Sequence, residues 1–297
     1  MNELYTQEPS TARPSPTGVM TAFGCPRDFG GRELVYTVVS PRARGLSVGI
    51  NLSPGHCCNF RCTYCESSPK PFQLPQAVDA ARVGEELAAT LGEVWSGNVR
   101  LRPAYRALPE ELIRLRHVAL SGDGEPTLCP NFNEVVEEVV HLRARGRFPF
   151  FKMVLLTNGT GLGSREVQEG LTLFTVHDEV WAKLDAGSQD HMDRVNRPDC
   201  TIETVLENLL TLARRRPVVI QSLFATVNGV GPSASEVDIY ARRLWELKDA
   251  GAAIPLVQVY SATRPTQSSS CGHLPLRSLS QIARRVREVS GLRAEVF

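Results

Sequence analysis

The run Cys58-Asn59-Phe60-Arg61-Cys62-Thr63-Tyr64-Cys65 decides how the rest of the chain is read. Its C-x3-C-x2-C spacing offers three soft thiolates from one short loop, a donor set suited to iron–sulfur or zinc chemistry rather than to a disulfide. Three ligands are one short of closing a tetrahedral zinc site or a four-iron cluster. In a [4Fe-4S] cluster held this way one iron stays open to bind something else, which makes the site catalytic. A zinc knuckle needs a fourth Cys or His at ligand spacing. His56 and Cys57 crowd Cys58, and Cys25 or Cys271 could complete a zinc site only through the fold. The spacing therefore favours a cluster over zinc. Cys129 and Cys200 sit in ordinary surroundings and read as small buried side chains.

The 297 residues are 42% hydrophobic, enough to bury the core of one barrel-sized domain. No apolar run is long enough to cross a membrane, and the N-terminus lacks a charged–apolar–small signal pattern. Reduced thiols in a metal loop imply a reducing compartment, so the expected location is cytoplasmic. A formal charge of +1 gives no field that would draw nucleic acid. The basic runs Arg143 to Lys152 and Arg214 to Arg216 read as solvated helix ends. An RNA substrate is thus permitted but not indicated.

Residues 1–20, rich in Pro, Thr and Ser, read as a disordered or loose arm, and 21–297 as one domain. Apolar runs predict strands over Leu46–Leu52, His117–Ser121, Lys152–Thr157, Glu179–Leu184, Pro217–Phe224 and Pro255–Ser261. Stretches such as Val154-Leu155-Leu156 are continuous rather than alternating, as strands covered on both faces require. Helices are predicted near 76–95, 131–145, 163–174, 201–215, 233–250 and 278–290, with a helical insertion near 69–116. Within 201–215, Ile202, Val205, Leu206, Leu209 and Leu212 recur at helical spacing. Ser233 with Glu236 and Ser278 with Gln281 read as capping boxes, and Gly251 and Gly291 as helix stops. The alternation argues an α/β fold with a parallel sheet. A closed eight-stranded barrel would need two more units than are present.

In such folds the site lies where loops leave the carboxyl ends of strands. The cysteine loop follows the first predicted strand. The second breaks into Gly122-Asp123-Gly124-Glu125, a close-approach loop or a surface Asp-Gly turn. The third ends at Asn158-Gly159, a ligand contact or an Asn-Gly turn. Alternation puts Lys183 and Asp185 on one face of the fourth, where buried charges must be paired or functional. Gln221, Ser222, Gln258, Tyr260 and Arg264 lie near the ends of the last two and are candidates for shaping a pocket. Cys271, in the loop-like Ser268-Ser269-Ser270-Cys271-Gly272, reads as an incidental thiol, with a hydrogen donor or extra ligand as the sharper alternative.

Several of these stretches together resemble the radical S-adenosylmethionine (SAM) superfamily, from about Leu34 to Phe297, and within it a group related to the wyosine-type tRNA synthases. They are Ser47-Val48-Gly49-Ile50-Asn51-Leu52, the cysteine loop with Tyr64 before its last Cys, and Ser121-Gly122-Asp123-Gly124-Glu125-Pro126. Trp181-Ala182-Lys183-Leu184-Asp185-Ala186-Gly187 and Val257-Gln258-Val259-Tyr260 complete the set. The resemblance implies a partial (β/α)6 TIM-like barrel of the radical SAM type, with a [4Fe-4S] cluster on Cys58, Cys62 and Cys65. It implies SAM as cofactor, with Tyr64 near its adenine and Gly122, Asp123, Gly124 and Glu125 around its methionyl group. Asp185 would take a ribose hydroxyl, and Asn158 and Gln221 would be further cofactor contacts.

Reductive cleavage of SAM would then start radical chemistry on an unidentified small molecule, peptide or tRNA. An external electron donor of flavodoxin or ferredoxin type is implied. A wyosine-like tRNA-modifying enzyme is the alternative, with Lys183 as Schiff-base candidate against its ion pair with Asp185. Only Cys25 and Cys57 precede Cys58, which speaks against a second cluster. Readings of another class are a zinc-stabilised RNA-binding protein and a non-catalytic iron–sulfur regulator.

Overall fold

Each continuous apolar run of the sequence becomes a strand with an interior of buried side chains. The computed structural model describes residues 22–67, 74–264, 266 and 268–297, so the arm expected over 1–20 lies outside the described residues. Two compact units are present. One comprises the described residues of Cys25–Asn59 and Lys70–Trp181, the other those of Met1–Gly24, Phe60–Pro69 and Ala182–Phe297.

The first unit opens with an antiparallel pair, β1 (Val35–Ser40) and β2 (Gly45–Asn51). The sequence reading began the sheet at Leu46 and passed over β1, although Val35, Tyr36, Val38 and Val39 are all buried. Helix α1 (Ala80–Trp95) and the short α2 (Glu110–Ile113) fill the connection to β3 (Leu115–Ser121). Helix α3 (Phe132–Ala144), β4 (Met153–Thr157), α4 (Arg165–Thr172) and the start of β5 (Glu179–Lys183) follow. The strand order is β1-β2-β3-β4-β5. Strands β2, β3 and β4 are parallel, and Asn51 pairs in register with Ser121. The loops after β2 and β3 therefore leave the sheet at the same edge.

His117 of β3 is 3% exposed and meets Trp181 edge-to-face at 5.2 Å. Burial, with lesser contributions from Lys152 and Arg42, pulls its pKa down to about 3. A histidine held neutral in this way binds a proton in the unfolded chain below about pH 6.5 that it refuses in the folded one. Stability contributed by His117 is therefore present above pH 6.5 and lost as pH falls towards 3. The protein is expected to lose about 2 kcal/mol between pH 7.5 and pH 5 from this residue alone. Urea melts at the two pH values check this, and His117→Phe should shrink the difference.

In the second unit β5 is followed by α5 (Gln189–Val195), α6 (Ile202–Ala213), β6 (Val218–Leu223), β7 (Ala225–Val227) and α7 (Ala234–Asp249). Strand β8 (Val257–Tyr260), β9 (Cys271–His273), α8 (Leu276–Ser290) and β10 (Ala294–Val296) complete it. Here the order is β5-β6-β8-β10, with β6, β8 and β10 parallel, and β7 and β9 form a separate antiparallel pair. Helix α6 buries Ile202, Val205, Leu209 and Leu212 as its spacing predicts, while Leu206 is half-buried.

The predicted caps divide. Ser233 accepts the Glu236 N–H, but the Glu236 carboxylate does not close the box. It accepts from the N–H of Gly187 (2.6 Å) and Ser188 (3.2 Å) instead. Ser278 caps nothing: α8 begins at Leu276 with Pro275 as its cap, and Ser278 is buried inside the first turn. Proline at the cap position starts the helix three residues earlier than the serine would. Gly251 (φ 93°) and Gly291 (φ 64°) end α7 and α8 in the left-handed conformation, as expected.

Candidate cofactor site

In the first unit Asn51, the last residue of β2, stitches the two neighbouring loops together. Its Oδ1 accepts the N–H groups of Asp123 (3.0 Å) and Ser53 (3.2 Å), and its Nδ2 donates to Asp123 Oδ2 (2.8 Å). Arg27 pairs with Asp123 Oδ1 at 2.6 Å and lies over the Tyr36 ring. Gly122 has φ 146°, and a Cβ there would stand 2.2 Å from Asn51 Oδ1. At Gly124 a Cβ would stand 1.9 Å from the Cys57 carbonyl oxygen. That carbonyl accepts the Glu125 N–H and the Ser53 hydroxyl, both at 2.9 Å. The glycine-rich loop thus clamps, backbone against backbone, the residue immediately before Cys58.

Gly124→Ala is expected to destabilise the protein by about 3 kcal/mol or more, because backbone cannot retreat as a side chain can. Gly92→Ala, in α1 with nothing within 4 Å, is expected to be neutral or stabilising. Thermal melts of the two variants decide the point.

Glu125 is 3% exposed. Its carboxylate accepts the N–H (3.1 Å) and hydroxyl (2.6 Å) of Thr127, the Thr157 hydroxyl (2.5 Å) and the Asn158 N–H (2.7 Å). Burial raises its pKa and these donors oppose the rise. It fastens the β3 loop to the end of β4. Asn158 donates from Nδ2 to Asn59 Oδ1 at 2.9 Å, reaching the cysteine loop, and its own Oδ1 accepts the Thr160 N–H at 3.0 Å. With Gly159 at φ 87°, the segment is an Asn-Gly turn that also braces that loop.

In the second unit a buried polar network surrounds Tyr64 and Asp185. Asp185 Oδ1 accepts the Leu223 N–H (2.7 Å) and pairs with Lys183 Nζ (3.4 Å). Its Oδ2 accepts Asn196 Nδ2 (2.8 Å) and the Tyr64 hydroxyl. A carboxylate offers about four acceptor positions, so these four donors saturate it. Burial, then the charge of Asp185, pushes the Tyr64 hydroxyl well above its ordinary pKa.

Lys183 Nζ lies over the rings of Tyr64 (4.7 Å) and Tyr260 (5.4 Å) and donates to the Tyr260 hydroxyl at 3.0 Å. Burial pulls its pKa down, but Asp185 and Tyr260 overcome that and hold the amine protonated. Gln221 Nε2 donates to Gln258 Oε1 at 2.8 Å, both buried. Arg264 pairs with Glu66 at 3.2 Å and donates to the Phe23 carbonyl at 3.0 Å.

Cys58, Cys62 and Cys65 are half-buried and outside any disulfide, and the Cys65 N–H closes a turn on the Cys62 carbonyl. By contrast, Cys57 and Cys129 are buried and donate their thiols to the Leu74 carbonyl and to Asn131. Burial pushes the Cys62 thiol up to about 11; a bound metal would reverse this by deprotonating it. Thiol donors at this spacing suit an iron–sulfur cluster by their chemistry. The unit boundary falls between Asn59 and Phe60, so Cys58 belongs to one unit and the other two to its neighbour in sequence. Among the described residues no three His, Cys, Asp or Glu side chains gather as the ligands of a single ion. Cys271 is not in a loose loop: it lies in β9 and packs, with Cys62, on the cluster of Tyr64, Val195, Leu223 and Tyr260.

Sequence reasoning missed Asn51, Asn59 and Asn196. A lone asparagine at a strand end or after a helix has no spacing that marks it. Among the described residues no helix is long and apolar enough to cross a membrane.

The Radical SAM superfamily matches residues 52–240, more than half of the chain. The chain is 25% identical over 272 residues to a UPF0026 protein of Helicobacter pylori (strain J99), covering 85% of this chain and 80% of that protein. Among solved structures it is similar to a radical SAM methyltransferase from Sphaerobacter thermophilus, with TM-score 0.55 and 14% identity over 89% of this chain and 68% of that one. It is also similar to TYW1 with a lysine-pyruvate adduct bound, with TM-score 0.53 and 15% identity over 86% of this chain and 84% of that one. At these identities the likeness shows the fold, the α/β partial barrel expected from the sequence.

Proposed function

The chain belongs to the radical SAM superfamily and is an enzyme of it; from that premise we propose that it cleaves SAM reductively and starts radical chemistry on a small molecule, peptide or tRNA. Cys58, Cys62 and Cys65 are the ligands of the [4Fe-4S] cluster in this reading. When bound, cluster and SAM together supply the electron transfer and the radical.

The chain's own residues orient and protect that chemistry. Gly122 and Gly124 let the β3 loop lie against the start of the cysteine loop, and Asn51, Glu125 and Asn158 fix both loops to the strands. Asp123, half-buried at this cradle, is already paired with Arg27 and Asn51, so a cofactor ammonium there would have to displace or share the place of the Arg27 guanidinium. The observation that carries the reading is the lock of the glycine-rich loop on the Cys57 carbonyl, one residue before the first ligand.

Asp185 has its acceptor positions filled from within the protein, so it supports the site chiefly by holding Tyr64 and Asn196. A ribose contact there would replace one of these donors. A Schiff base needs a neutral amine, and Lys183 is held cationic by Asp185 and Tyr260, which argues against wyosine-like pyruvate chemistry at this lysine. The electron comes from a separate flavodoxin- or ferredoxin-type donor. Anaerobic reconstitution with iron and sulfide tests the reading: a brown protein that binds SAM supports it, and a colourless one that retains zinc sinks it.

A further inference from the structure

Residues 60–63 of the cysteine loop are held by the segment that follows α5. The Thr63 N–H donates to the Val195 carbonyl (2.8 Å), the Arg61 N–H to the Asn196 carbonyl (3.0 Å), and Phe60 bridges Pro198. Arg197 between them has φ 47°, a conformation rare for a side-chain-bearing residue and rarer before proline. Such local strain persists only where surrounding contacts impose it. Here those contacts lead to one side chain.

Asn196 is 3% exposed. Its Nδ2 lies 2.8 Å from Asp185 Oδ2, 3.0 Å from the Tyr64 hydroxyl and 3.4 Å from Cys62 Sγ. The amide cannot be turned over, because its oxygen would then face the acceptor-only carboxylate of Asp185. Asp185 is in turn fixed by the Leu223 N–H and Lys183. The N–H groups of Asn196 are therefore aimed by a rigid partner, and one of their three acceptors is a sulfur.

We propose that Asn196 is a positioning residue that donates an N–H···S hydrogen bond to the Cys62 thiolate, fixing this ligand and raising the midpoint potential of the cluster. The inference rests on the reading of Cys62 as a cluster ligand. Hydrogen bonds to cluster sulfur favour the reduced, more negative state, so their loss makes reduction harder. A purely structural asparagine would leave the potential unchanged.

The test compares reconstituted wild-type protein with Asn196→Ser in an EPR-monitored redox titration. Serine is too short to reach Cys62 from this backbone. About a tenfold lower reduced fraction at fixed potential is expected, a shift of roughly 59 mV to the negative for a one-electron couple. An unchanged midpoint in a loaded variant overturns the inference and leaves the proposed function standing. Failure of the wild-type protein to take up a cluster overturns both.

Should Asn196→Ser fail to fold or load, pulsed EPR of the reduced wild-type protein labelled with side-chain 15N-asparagine decides. A hyperfine coupling supports the inference, since the loop's other asparagine, Asn59, spends its amide on Thr160. Absence of coupling overturns it.

Discussion

Replacing any one of Cys58, Cys62 and Cys65 by Ala is expected to abolish the visible absorbance of the reconstituted protein and to lower SAM cleavage roughly 100-fold or more. Each thiol is a separate ligand in the proposed site, and the nearest alternatives in sequence or packing are already engaged. Cys57 and Cys129 are buried with their thiols donated to protein oxygens, and Cys271 is built into β9. Cys200→Ala is the matched control and should leave iron content and cleavage as in the wild type. Iron and sulfide assays beside product analysis check both halves. Retained iron in all three variants would remove the ligands from this loop.

The second large effect is at Asp185. Asp185→Ala is expected to cost about 3–5 kcal/mol, because it strands the Lys183 cation and leaves the Leu223 N–H and the Asn196 amide without their acceptor. In a chain of this size the melting midpoint should fall by about 10 °C. Adding Lys183→Met removes the stranded charge, so the double variant should be less destabilised than the sum of the single changes. Thermal or urea melts of the four proteins close the cycle. An additive result would mean that the ion pair contributes nothing beyond its hydrogen bonds.

Much of the fold was legible because long apolar runs and helical spacings are local signals. The runs at Leu46, His117, Lys152, Glu179, Pro217 and Pro255 all became strands, with ends shifted by a residue or two. What escaped was short or edge structure. β1 is the edge strand of the sheet, the three-residue β7, β9 and β10 carry too few residues for a periodicity, and α5 spans only seven. The Ser278 box failed because a proline cap upstream outranked it.

The proposed site was legible by residue type but not by role. Glu125 and Asp185 stood out as charges at strand ends, yet their carboxylates are occupied by protein donors. The sequence could not tell a carboxylate offered to a ligand from one spent on holding a loop. Asn196 was invisible for the converse reason. Two of its three partners, Cys62 and Tyr64, lie more than 130 residues away in sequence, and nothing beside it announces them.

The most direct test of the central claim is anaerobic: reconstitute the protein with iron and sulfide, reduce it with dithionite, add SAM, and look for 5′-deoxyadenosine. The account predicts this product from the wild-type protein and none from the Cys58→Ala variant. A wild-type protein that holds its cluster, binds SAM and leaves it intact would contradict it.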